Sequence, residues 1–218
     1  MTARDRILAR VRAFREQAGM AANAEGGVSW RLSAPAPVGP TPRMDRQERM
    51  ERFIAKAEAV QCTVTRLPVP GALPRAIAAA LRNRNLPASI RVGADPVFAG
   101  LNWEALEVSV GAGRLAEPAT LSRASFGVAE TGSLAFLSGP ENPVTLTFLG
   151  DHHFAMLREA DVVCNFEEVW CRIRAEGRDP RTVNFVTGPS RSADIEQSLQ
   201  LGAHGPVSQQ IFLIGPDA

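Results

Sequence analysis

Residues 183–214 read VNFVTGPSRSADIEQSLQLGAHGPVSQQIFLI, and the order of elements within them decides how the rest of the chain is arranged. Val183 to Val186 is a short apolar run closed by Thr187, Gly188 and Pro189, and Gln210 to Ile214 is a second such run. Runs of this length between turn residues predict strands. Between them, residues 190–201 carry Ala193, Ile195, Leu199 and Leu201 among polar residues, with serines at the start and Gly202 just past the end. That punctuation predicts a helix. Strand, helix, strand is a crossover, which implies a parallel pair wound right-handedly. In such sheets ligands collect where strand ends meet helix starts.

The loop after the first of these strands is therefore a candidate anion site. Gly188 lets backbone approach a ligand, Pro189 fixes the turn, Ser190 and Ser192 supply hydroxyls or a cap, and Arg191 supplies a forked cation. The expected helix start adds unpaired amides. The competing reading is a serine cap beside a solvated arginine. At the far end of the expected helix, His204 sits between Gly202 and Gly205, where it would stabilise the helix C-terminus. Asp194 and Glu196 in the expected first turn suit the helix dipole but weaken an anion site.

Upstream, the pattern alternates. A cap at Thr41, with Pro42 at the first helical position, predicts a long helix through Met50, Phe53, Ile54, Ala57 and Val60. Strands follow at residues 62–67, 88–92 and 106–110, with a helix at 73–83 and a short irregular one at 96–103. Regular alternation predicts a mostly parallel sheet flanked by helices on both faces. Residues 121–149 break that rhythm. Their apolar runs at 126–129, 134–137 and 144–149 are separated by segments too short for crossovers, so this portion is expected to be antiparallel or sharply folded back. Residues 153–157 read as a further strand, and residues 165–175 as a helix with Phe166, Val169, Trp170 and Ile173 inward. Residues 1–42 form a separate arm, a basic amphipathic helix over 2–19 followed by a linker rich in Pro and Gly in which Trp30 is the expected anchor. Residues 43–218 form the α/β domain.

The turn Ala129-Glu130-Thr131-Gly132-Ser133 sets a carboxylate between two apolar strands. Gly132 suggests a positive φ, and Thr131 and Ser133 place hydroxyls beside the acid. Such a carboxylate can act as base or nucleophile, or simply face water in a hairpin turn. His152 and His153 are adjacent, so on a strand they point to opposite faces and cannot share one metal ion. Cys62, Cys164 and Cys171 lack the close spacing of an iron–sulfur or zinc site, and Cys164 and Cys171, seven apart and so on one face of a helix, read as small core residues. No metal ligand set is expected. The chain has 218 residues and a net charge of +1, which marks no general nucleic-acid or membrane binder. It has no Tyr, and Lys56 is its one lysine, which argues against Schiff-base and lysine-dependent phosphate-loop chemistry. No stretch is apolar enough to span a membrane, and arginines interrupt the N-terminal segment as they would not a signal peptide, so the cytoplasm is the expected location.

The strings TGPSRSADIEQSLQLGAHGP at residues 187–206 and GVAETGSLAF at 127–136 resemble the LUD-domain family, in its lactate utilization protein C group. The resemblance implies a fold related to ribose-5-phosphate isomerase and the CoA transferases. It also implies a role as an accessory or ligand-binding subunit in the oxidation of L-lactate to pyruvate, beside two partner proteins that carry the iron–sulfur clusters, with no cofactor on this chain. The ligand would be a small carboxylate or phosphate-bearing molecule. Glu130 weakly resembles the catalytic glutamate of CoA transferases. That supports an alternative, an acyl-transfer enzyme with Glu130 as catalytic group and residues 188–192 gripping the anion.

Overall fold

The computed structural model describes residues 3–17, 44–115, 117–193, 199–202 and 204–215. Helix α1 (Ala3–Gln17) belongs to an N-terminal unit, residues 1–40, and everything else to a second compact unit, residues 41–218. The expected linker with Trp30 lies outside the described residues.

The second unit opens with α2 (Arg46–Ala59), which begins after Asp45 rather than at Pro42. Asp45 and Glu48 form a capping box: Asp45 Oδ1 accepts from the Glu48 amide at 2.9 Å, and Glu48 Oε2 accepts from the Asp45 amide at 3.2 Å. Two orphan amides satisfied in this way set the start more strongly than a proline preference does.

Six strands then form one parallel sheet: β1 (Thr63–Leu67), β2 (Ser89–Val92), β3 (Glu107–Val110), β4 (Glu117–Arg123), β7 (Gly150–Arg158) and β12 (Ser208–Ile214), in the order β1-β12-β7-β4-β2-β3. Side chains alternate across it. On one face, Ile90, Leu121, Phe154 and Phe212 pack with α3 (Leu73–Asn83) and α4 (Pro96–Ala99) through Leu73, Ile77, Leu81 and Phe98. The other face presents Ala155, Leu157, Ile211 and Leu213 to Met50, Phe53 and Ala57 of α2 and to a second sheet. That second sheet has the order β8-β5-β6-β9, with β5 (Phe126–Val128) and β6 (Ser133–Leu137) as an antiparallel hairpin, β8 (Val162–Val163) parallel to β5, and β9 (Val183–Val186) antiparallel to β6. Helix α6 (Phe166–Ala175) covers its outer face with Val169 and Ile173. The mostly parallel α/β sheet flanked by helices, with an antiparallel portion, is the architecture expected from the alternation.

The segment that opened the sequence reading folds differently from its expectation. β9 and β12 are not a parallel pair, since they belong to different sheets. In place of a crossover helix, β10 (Arg191–Ala193) pairs antiparallel with β11 (Leu199–Leu201), and residues 194–198, with Asp194 and Glu196, lie outside the described residues. The pattern was ambiguous in a specific way. Ala193 and Ile195, and again Leu199 and Leu201, stand two apart, which is the period of a strand. Gly188 and Gly202 adopt φ of 85° and 80°, turning the chain into and out of this ribbon. Within the apolar run at 144–149, residues 145–148 form a short helix, α5 (Thr145–Phe148). Trp170 is 39% exposed and so is not inward. Cys171 is exposed and Cys164 half-buried, so of the three cysteines only Cys62 is a core residue.

Connections diverge within the large sheet. From β2 the chain steps outward to β3, whereas from β4 it steps the opposite way to β7 and then β12. The boundary between β2 and β4 is thus a topological switch point, the place where open α/β sheets leave a crevice beyond their strand ends.

Candidate functional site

Both loops singled out in the sequence close on the C-terminal end of α2. Gly132, with φ of 72°, brings the 129–133 turn against the backbone of Lys56 and Ala57, and a Cβ there would overlap it. Gly188 lies as tightly against the Val60 carbonyl. The Arg191 guanidinium donates from Nη2 to that same carbonyl at 2.6 Å. A helix end leaves carbonyls without intrahelical partners and carries partial negative charge, so a guanidinium at this point completes α2. The loops are also joined to each other: the Ser133 hydroxyl lies 2.7 Å from that of Thr131 and 2.6 Å from that of Thr187.

Beside this junction is a hollow of about 200 Å³ lined by Thr147, Phe148, Val186, Gly188, Pro189, Ser190, His204, Gly205, Pro206 and Gln209. Its floor is the start of a buried polar chain. Cys62 donates its thiol to Gln209 Oε1 at 3.3 Å, Gln209 Nε2 lies 3.1 Å from His153 Nδ1, and His153 Nε2 lies 2.7 Å from the Ser122 hydroxyl. With the Gln209 amide donating to Nδ1, the imidazole is neutral and carries its proton on Nε2, toward Ser122. Complete burial pushes the His153 pKa down to about 3, because removal from water disfavours the charged ring. The Cys62 thiol is pushed up to about 11 by burial, against weaker opposing pulls from Arg191 and the Gly188 amide. This chain is therefore a neutral, internally satisfied relay between the sheets, and Cys62 is no nucleophile near neutral pH. His152 points to the other face, as strand alternation requires, and bonds the Ser208 hydroxyl at 2.7 Å.

A second, larger cleft lies at the switch point. It has a volume of about 530 Å³ and is walled by residues at or beyond the ends of β2, β4 and β7, among them Asp95, Arg123, Ser125, Arg158 and Asp161, and by the loops at 138–142 and 176–180. Asp95 caps α4, accepting from the Val97 amide at 2.9 Å, and meets Arg123 Nη1 through its other oxygen at 3.4 Å. Arg158 is closed on Asp161 by two contacts of 2.7 and 3.1 Å, and Arg178 on Glu176 at 2.7 Å.

The small hollow, and the larger cleft apart from Asp95, are lined by residues within 114–214, which match the family model of the LUD domain. An uncharacterized protein of Neisseria meningitidis serogroup B is 37% identical over 100 residues, which are 45% of this chain and 43% of that one. Lactate utilization protein C of Anoxybacillus flavithermus is 36% identical over 87 residues, 40% of this chain and 39% of the relative. The protein of that name in Shouchella clausii is 35% identical over 83 residues, 37% of this chain and 36% of the relative. The chain thus matches about two fifths of the length of these relatives. A DUF162 family protein from Deinococcus radiodurans has a similar fold, with a TM-score of 0.59 at 21% identity, covering 79% of this chain and 99% of that one.

Among the described residues the expected site residues separate into two groups. Gly188, Pro189, Ser190 and His204 line the small hollow together. His204 does so from a loop, since residues 199–201 before it are strand rather than the end of a helix. Thr131, Gly132 and Ser133 brace that loop through Thr187, and Arg191 is engaged at Val60. The Ser190 amide is spent internally, on the Pro206 carbonyl at 2.9 Å. Among the described residues no helix start gathers the loop amides into an anion nest. Glu130 is half-buried on the turn, with its amide bonded to the Cys164 carbonyl at 3.1 Å, and it is not among the residues lining the small hollow. The Ser192 side chain lies outside the described residues. Sequence reasoning missed Gln209, His153 and Ser122 as one network, and the whole of the larger cleft. A signal existed for the first in the paired glutamines opening an otherwise apolar strand, and for the second in Asp95-Pro96 directly after β2. Among the described residues no three His, Cys, Asp or Glu side chains are grouped to hold a metal ion, and no helix is long and apolar enough to cross a membrane.

Proposed function

We propose that this chain is a ligand-binding component of a lactate utilization system, acting in the cytoplasm in the oxidation of L-lactate to pyruvate. The observation that carries the reading is the match of part of the chain to proteins named lactate utilization protein C. The geometry agrees with a small ligand: the hollow of about 200 Å³ offers Ser190, Thr147 and His204 as hydrogen-bonding groups around apolar Phe148 and Val186, enough for a 2-hydroxy or 2-oxo acid. In this reading electron transfer belongs to two iron–sulfur partner proteins, and this chain holds no cluster. A strain lacking the gene should fail to grow on L-lactate and recover with the wild-type chain, and the tagged chain should co-purify with iron–sulfur proteins. Ser190→Trp, which fills the hollow, should not restore growth although the protein accumulates normally. Unimpaired growth of the deletion strain would remove the proposal.

Acyl transfer is the second reading, with Glu130 as the nucleophile or base. In its favour is the half-buried position of Glu130 on a turn tied through Ser133 and Thr187 to the 188–192 loop. Purified chain would then exchange acyl groups on CoA and Glu130→Gln would abolish the exchange. Absence of exchange by the wild-type chain disposes of it.

A further inference from the structure

We propose that the cleft beyond the ends of β2, β4 and β7 is a second binding site, and that its ligand is an anionic polyol: a molecule bearing one phosphate or carboxylate together with vicinal hydroxyls. Three observations lead there. The first is position, since the cleft sits at the switch point of the large sheet, where diverging connections leave strand ends uncovered. Size is the second. About 530 Å³ is the range of cofactor and sugar sites, and the six heavy atoms of lactate would leave most of it unfilled.

The third is the state of its charges. Arg158 and Arg178 are closed on Asp161 and Glu176 at 2.7 Å, but Arg123 meets its partner, Asp95, through one nitrogen at 3.4 Å. Its Nε and Nη2 hydrogens have no partner among the described residues, which leaves a planar fork suited to a carboxylate or phosphate. Arg123 is held for that task, because its own carbonyl accepts from Asn142 Nδ2 at 3.0 Å and its side chain is 27% exposed, against 8% for Asp95. At the rim, Glu141 and Asp179 are exposed carboxylates without an ion-pair partner among the described residues. Carboxylates accept hydrogen bonds, and two adjacent hydroxyls meet one carboxylate in the same two-pronged way that a guanidinium does. Five carboxylates against three guanidinium groups make the cleft unwelcoming to a bare small anion. They suit a ligand whose single acid reaches Arg123 while its hydroxyls occupy the rim. Ser125 and Ser138 add hydroxyls on the walls.

The test is calorimetric titration of the purified full chain with AMP, glucose 6-phosphate, gluconate, glucose and inorganic phosphate. At least one of the first three should bind with a Kd below about 1 mM, and glucose and inorganic phosphate at least about tenfold more weakly. Preference for AMP over glucose 6-phosphate or gluconate separates a nucleotide from a sugar source. Arg123→Lys, which keeps the charge and loses the fork, should weaken binding about tenfold. The double variant Glu141→Gln, Asp179→Asn lies on the exposed rim and should weaken polyol binding at an unchanged Tm, so the result does not depend on how Arg123→Lys folds. No binding of any probe at about 10 mM, or equal affinities in wild type and both variants, would overturn the site. Growth on L-lactate is a separate readout, so this site and the proposed lactate role fail independently.

Discussion

The two hollows of this domain are built by opposite means. Around the small one, polar groups are neutral, buried and satisfied by one another: Cys62, Gln209, His153 and Ser122 run in one hydrogen-bonded chain, and Thr131, Ser133 and Thr187 in another. Around the large one the groups are ionised and partly wet, and Arg123 is left loosely paired. Buried neutral networks cost little once fully satisfied and hold a site rigid, whereas an open guanidinium at a cleft is a group with donors to spare. The contrast separates a region whose polar groups are spent on one another from one able to exchange partners with a ligand.

The sharpest way to break this contrast is acid. His153 is neutral in the fold with its pKa near 3, while in the unfolded chain it ionises near the ordinary value of 6.5. The unfolded state therefore binds the extra proton as pH falls through 6.5, and stability, complete above that pH, is lost progressively down to pH 3 at up to about 1.4 kcal/mol per pH unit. Denaturant titrations between pH 7 and pH 4 should show this slope in the wild type and a shallower one in His153→Gln. Identical slopes would mean that the relay is not the neutral, sealed network described.

Next in size is the junction under α2. Gly132→Ala places a Cβ against the Lys56 and Ala57 backbone at a φ of 72°, where neither partner is a flexible side chain. The left-handed conformation costs about 1 kcal/mol and the overlap about 1–3 more, so a loss of roughly 3 kcal/mol is expected in urea melts. A loss below about 0.5 kcal/mol would show that the turn is free to move off α2.

How much of this was legible in the sequence follows the same division. Elements defined by local period and punctuation were readable: residues 73–83 are helical as their pattern predicts, the parallel alternation emerged, and Gly132 announced its positive φ. The small hollow was half readable, because Gly188, Pro189, Ser190 and His204 lie within one stretch of chain. The large cleft was not, because Asp95, Arg123, Glu141, Arg158 and Asp179 come from separate segments that only the sheet order assembles. Residues 190–201 were misread for a local reason. Four apolar residues can satisfy periods of both two and 3.6, and the choice was made by tertiary contacts of Gly188 and Arg191 with Val60, which no window of sequence contains.

The smallest effect tests what Arg191 is for. Sequence made it the cation of an anion site, and the structure engages its Nη2 with the Val60 carbonyl at the end of α2. Its side chain is exposed, so solvent weakens both the hydrogen bond and the dipole interaction, and Arg191→Ala should cost only about 0.5–1 kcal/mol of unfolding free energy. As a helix cap alone, the substitution leaves the affinity for L-lactate or pyruvate within about twofold, and lysine restores part of the stability because it too can reach a carbonyl. As a ligand cation, the substitution weakens that affinity tenfold or more, and lysine restores charge without the fork. Measuring the unfolding free energy and the calorimetric Kd on the same two variants separates the roles, since one predicts a loss in the first quantity only and the other a loss chiefly in the second.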